Sequence, residues 1–126
     1  MKIQKHALAV GLWSDDYKRL ATWYIDVLGL SNDLSAELPN DSFVAFQFGK
    51  NWFWIGKHDK VSGNNKDPYR IMIEFYVDSV MNTYKELKEK EVTILAEPFQ
   101  DPTDTAKYCM TIQDPEGNIL QFYGKK

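Results

Sequence analysis

The side chains in this sequence whose chemistry stands out are four tryptophans, two histidines, one cysteine and a glutamate set within a strand. Trp52 and Trp54 lie two apart in a strand-like run, so alternation turns both indoles to one side. Adjacent ring faces suit a planar ligand by stacking and a positively charged one by cation–π contact, each worth roughly 0.5–2 kcal/mol. The competing use of the same rings is core packing or a subunit interface. Glu74 stands on the face opposite Ile71, Ile73, Phe75 and Val77. A carboxylate among aromatic side chains needs a partner. Three are open to it: a ligand cation, Arg70 four residues earlier on the same face, or solvent at an exposed rim. A half-buried carboxylate also serves as a general base when its pKa is raised. Cys109 has no histidine in nucleophile spacing and reads as a buried structural thiol. Neither a Gly-rich phosphate loop nor a Ser-His-Asp arrangement is visible.

These groups need strands to aim them, and the chain supplies strands in a repeating order. Leu8, Val10 and Leu12 alternate with Ala7, Ala9, Gly11 and Trp13, which predicts a first strand over Ile3–Trp13. Ser14-Asp15-Asp16 offers helix caps, Tyr17, Leu20, Ala21, Tyr24 and Leu28 follow at helical spacing, and Gly29 ends the helix. A short strand near Leu34–Ala36 precedes a hairpin of Phe43–Phe48 and Trp52–Lys57 around Gly49-Lys50-Asn51. Residues 58–69 are polar and turn-rich, a linker that also holds His58. The order then restarts. Arg70–Val77 is a strand, Asp78-Ser79 caps a helix to about Lys90, and Val92–Leu95 is a short strand. Glu97–Ala106 is a loop, and Lys107–Gln113 with Asn118–Tyr123 is a closing hairpin. The expectation is one domain of two βαβββ modules, residues 1–57 and 70–126. The faces not covered by helices curl into a concave cup, a natural small-molecule site. Alternation places Trp13, Phe46, Trp52, Trp54, Arg70, Met72, Glu74, Tyr76, Thr111, Gln121 and Tyr123 on the cup side as ligand-binding candidates. Phe43, Phe53, Phe75 and Phe122 fall on the helix-packed side.

Composition narrows the classes. A chain of 126 residues is one compact domain, and a single cysteine excludes an internal disulfide. A net charge of −3 with interspersed signs carries no basic footprint for nucleic acid. No apolar run approaches the ~20 residues of a membrane span, and Met1–Lys5 lacks a signal-type apolar core, so a cytoplasmic protein without membrane contact is expected. Seven Phe, seven Tyr and four Trp, 14% of the chain, form an unusual store of ring surface.

Three segments carry a family resemblance. Trp23-Tyr24-Ile25-Asp26-Val27-Leu28-Gly29-Leu30 resembles the helix end of the glyoxalase/bleomycin resistance protein/dioxygenase (vicinal oxygen chelate) superfamily. Phe75-Tyr76-Val77-Asp78-Ser79-Val80 is similar to its second strand-to-helix junction, and Asp114-Pro115-Glu116-Gly117-Asn118-Ile119-Leu120-Gln121 to its closing hairpin. The resemblance implies an α+β fold whose tandem βαβββ modules form a curved mixed sheet with a concave cup. It also implies a homodimer and, in the enzymes of the family, a divalent metal held by His, Gln and Glu side chains. Counting from the motifs, the ligand positions fall on Ala9, Trp54, Met72 and Gln121, none of them an imidazole or a carboxylate. His6 lies three residues before Ala9 and so on the other strand face. The expectation is therefore a small-molecule binder without catalytic residues or metal. It would sequester an aromatic or cationic compound, as the antibiotic-binding, bleomycin-resistance branch does. Two alternatives stand beside it: a divalent-metal lyase, isomerase or dioxygenase using a set such as His6, Glu74 and Gln121, and a dimeric regulatory module without catalysis.

Overall fold

A computed structural model describes residues 1–126, which divide into two compact units, Met1–Gly63 and Asn64–Lys126. In the first, β1 (Ala9–Ser14), α1 (Tyr17–Leu28), β2 (Leu34–Leu38), β3 (Asp41–Phe48) and β4 (Asn51–Lys57) build a sheet in the order β1-β4-β3-β2. The β1–β4 pair is parallel and the others antiparallel. In the second, β5 (Met72–Ser79), α2 (Val80–Glu89), β6 (Thr93–Gln100), β7 (Lys107–Gln113) and β8 (Ile119–Lys125) repeat it as β5-β8-β7-β6, again with the first pair parallel. The class is α+β and the arrangement is tandem βαβββ, with two four-stranded sheets where the sequence suggested a single curved one.

Local chemistry explains the boundaries. Gly29 takes φ 70°, the left-handed conformation that ends α1, and its N–H donates to the Ile25 carbonyl. Ser79 caps α2 by accepting from the Asn82 N–H at 3.2 Å. Asp16 stands at the start of α1 without a side-chain cap bond, while Ser14 Oγ accepts from the Asp16 N–H at 2.9 Å. β1 begins at Ala9, and His6 lies in the exposed turn before it. β6 runs on to Gln100, through residues expected to be loop; register shifts between Ile94 and Phe99 absorb Pro98.

Each helix buries one face of its sheet. Tyr17, Leu20, Ala21 and Tyr24 of α1 are buried, and the Tyr24 ring meets Phe53 at 5.2 Å. Phe46, 1% exposed, packs against Phe53 at 5.7 Å. In the second unit Val80 and Leu87 are the buried residues of α2, over a sheet face where Phe75 and Phe122 stack at 6.0 Å.

Phe46 was expected on the opposite face, and the cause is turn length. A three-residue turn over Gly49–Asn51 would set Phe46 opposite Trp54. The structure makes a two-residue turn, Gly49-Lys50, with Gly49 at φ 62° and Phe48 paired with Asn51. That single-residue slip moves Val44, Phe46 and Phe48 to the helix side and brings Phe43, Ala45 and Gln47 to the open side.

Candidate functional site

The open face of the first sheet is built around two interlocked tryptophans. In the parallel pair, Gly11 stands opposite Trp54 and Trp13 opposite Gly56, so each indole meets a glycine on the neighbouring strand. A Cβ on Gly11 would lie 2.1 Å from Trp54 Nε1, and one on Gly56 would lie 2.8 Å from Trp13 Cζ3. Each ring thus occupies space that a side chain would otherwise fill, and only glycine permits both placements. The row extends on both sides. Phe43 meets Trp54 at 6.1 Å, Trp54 meets Trp13 at 6.2 Å, and Trp13 meets the His58 ring edge-on at 5.5 Å. Trp52, paired with Ala9 and Gln47, continues the same face. Trp13 remains 38% exposed, so part of this ring surface is open. Trp54 Nε1 is buried and has no hydrogen-bond partner. An unsatisfied donor costs about 1–3 kcal/mol, so packing on Gly11 holds the indole against that penalty.

The second sheet carries different chemistry at the matching positions. Where the first has Gly11 opposite Trp54, the second has Glu74 opposite Gln121; where it has Trp13 opposite Gly56, the second has Tyr76 opposite Tyr123. Thr111 pairs with Gln121 and Cys109 with Tyr123 on this face. Tyr76 is 78% exposed and meets the Tyr123 ring edge-on at 5.5 Å. Met72 is also exposed. Glu74 is exposed and stands outside all four ion pairs of the protein. Arg70 is not its partner. It belongs to a 3-10 turn, Pro68–Arg70, ahead of β5, and its Nε donates to Asp67 at 2.5 Å. The proline and the local Asp67 hold the turn there and take Arg70 off the strand.

Asp101, unmarked in the sequence because it follows β6 in a loop, organises the end of this face. It accepts from the Thr103 N–H at 2.7 Å and from the Thr103 hydroxyl at 2.8 Å, and these bonds lower its pKa. Partial burial and a hydrogen bond to Asp101 push the Tyr123 hydroxyl up to about 12. The folded state therefore holds this proton more tightly than the unfolded chain, whose tyrosines titrate near ~10. Its contribution to stability is full below about pH 10 and is lost as pH rises through about 12. In an alkaline absorbance titration of the folded protein, a late tyrosinate step near pH 12 is expected, and Asp101→Asn should move it down. A profile unchanged by that substitution would remove Asp101 as a cause. Burial, with the Asp101 and Glu74 carboxylates adding, also raises the Cys109 pKa, which keeps the thiol protonated and poorly nucleophilic.

The residues present do not fit a divalent metal at the positions the sequence motifs mark. Ala9 has no donor, Trp54 offers only a shielded indole N–H, and Met72 and Gln121 are weak ligands. No group of three or more His, Cys, Asp or Glu side chains converges anywhere in the protein. No helix is long and apolar enough to cross a membrane.

A split βαβββ repeat with open sheet faces defines a tandem-module α+β protein. The chain belongs to the Glyoxalase/Bleomycin resistance protein/Dioxygenase superfamily, whose sequence profile matches residues 4–122. Many solved structures share the fold, three of them as follows. The antibiotic-binding protein TnmS3 from Streptomyces sp. CB03234 is 12% identical with TM-score 0.77, covering 100% of both chains. A lactoylglutathione lyase from Agrobacterium tumefaciens is 20% identical with TM-score 0.71, over 98% of this chain and 96% of its own. TioX from Micromonospora sp. ML1 is 14% identical with TM-score 0.72, over 95% of this chain and 98% of its own. Among curated protein sequences, none matches the chain.

Proposed function

We propose that this protein binds and sequesters a planar, largely apolar small molecule on the indole surface of its first unit, without a catalytic metal. The observation that carries the reading is the interlock of Trp13 and Trp54 over Gly56 and Gly11. Two large rings laid over glycines keep little rotamer freedom, so a stacking ligand loses less ordering entropy on binding. The absence of imidazole and carboxylate at Ala9, Trp54, Met72 and Gln121 supports binding in place of metal chemistry. The antibiotic-binding likeness of TnmS3 agrees with it. On the same reading the protein is a cytoplasmic homodimer. Large apolar side chains exposed in each unit, Leu8 in the first and Ile71 in the second, give a second copy surface to bury.

Calorimetric titration with 2-(1-naphthyl)ethanol, a neutral planar probe, tests the reading. Trp54→Ala should weaken binding about tenfold, the worth of one stacking ring. Glu74→Gln, on the other unit, should leave this probe unaffected. Equal affinity in wild type and Trp54→Ala, or no binding at all, would overturn the proposal.

A further inference from the structure

At one end of the indole row the first unit has a polar hollow of about 330 Å³, formed by the β2–β3 turn and the residues that end and follow β4. Two features tie it to the row. His58 lines the hollow and its ring touches Trp13. Asp41 also lines it, and it shares the open face with Phe43, two residues along β3. The hollow and the ring surface are therefore continuous.

The groups in the hollow select by charge. Asp41 and Asp59 are its carboxylates, and Lys57 is its one lysine. Lys57 stands at the strand position paired with Ser14, in the alternation of Phe53 and Ile55 and so off the open face. Asp41 makes none of the four ion pairs. Asp59 Oδ1 approaches only His58 Nδ1, at 3.2 Å. That same Nδ1 lies 3.1 Å from the Lys60 backbone N–H, which donates to it. Two carboxylates thus stand against one lysine, and Asp41, which makes no ion pair, is on the ligand's side of the sheet. No lysine or arginine stands on the open face of β1 to β4 to await an anion.

We infer that the hollow is a subsite for a protonated amine carried on the planar ligand, with Asp41 as its main acceptor and Asp59 as the second. This deepens the proposed function and rests on it: the indole row takes the ring system, and the hollow takes an ammonium group one short tether away. The ligand class becomes amine-bearing planar aromatics, and phosphorylated or carboxylated ones are disfavoured.

The test compares 2-(1-naphthyl)ethylamine, protonated at neutral pH, with 2-(1-naphthyl)ethanol, which has the same ring and tether. Calorimetry should show wild type binding the amine about 3- to 10-fold more tightly. The double variant Asp41→Asn, Asp59→Asn should lose that preference and keep its affinity for the alcohol. Both positions are exposed, and unchanged circular dichroism will confirm that the variant is folded. If wild type binds both probes equally, or the double variant keeps the preference, the subsite is wrong and the indole surface stands. If wild type binds neither probe, the indole reading fails and this inference fails with it.

Discussion

Replacing Asp114 with alanine should lower the free energy of unfolding by about 3 kcal/mol, from three bonds lost at roughly 1 kcal/mol each. Asp114 is buried at the turn between β7 and β8. Its Oδ1 accepts from the Glu116 N–H at 2.8 Å and the Asn118 N–H at 2.9 Å, and its Oδ2 accepts from Asn118 Nδ2 at 2.8 Å. Asn118 Oδ1 in turn accepts from Asn65 Nδ2 at 3.0 Å, and the Asn65 N–H donates to the Glu116 carbonyl at 2.7 Å. One carboxylate thus shapes the turn and ties the segment ahead of β5 to it. Alanine strands the buried donors, and water does not easily replace the acceptor. Urea denaturation and calorimetry should agree on the loss, with a fall in Tm of roughly 10 °C. Asp114→Asn keeps one acceptor oxygen and should cost less. A change below 1 kcal/mol for alanine would mean the turn is held by its backbone alone.

The second large effect is expected at Gly11. A valine there places Cβ 2.1 Å from Trp54 Nε1, inside the indole. Neither partner can yield within the paired register of β1 and β4, so Trp54 must leave its seat. We expect affinity for the naphthyl probes to fall at least about tenfold, with Trp emission shifted to the red as the indole meets water. Overpacking should also destabilise the unit by about 1–3 kcal/mol. Gly11→Ala makes the same clash with a smaller group and guards against a valine variant that fails to fold. Wild-type emission and affinity in both variants would show that the indole does not rest on Gly11.

Much of this architecture can be read along the chain because it is local. The helix of α1 follows from Tyr17, Leu20, Ala21 and Tyr24 at helical spacing and ends at a glycine with positive φ. The hairpin at Asp114–Asn118 follows from residues that make their own turn bonds. The family, legible in three motifs, is shown by the profile over residues 4–122. Alternation placed Trp13, Trp52, Trp54, Glu74, Tyr76, Gln121 and Tyr123 on the faces they occupy, because parity holds wherever a strand runs unbroken.

What escaped was register, and register is a property of pairs of strands. Phe43 and Phe46 exchanged faces because Gly49-Lys50 closes the hairpin in two residues, and a one-residue slip inverts every side chain on β3. Arg70 left its strand for a turn bonded to Asp67. Asp101 gained its role from Tyr123, 22 positions away and reached only once β6 and β8 lie in one sheet. The indole row has the same origin. Its tryptophans and glycines are visible in the chain, but the seating of Trp54 on Gly11 depends on a parallel pairing across about 40 residues, which only the folded sheet brings into contact.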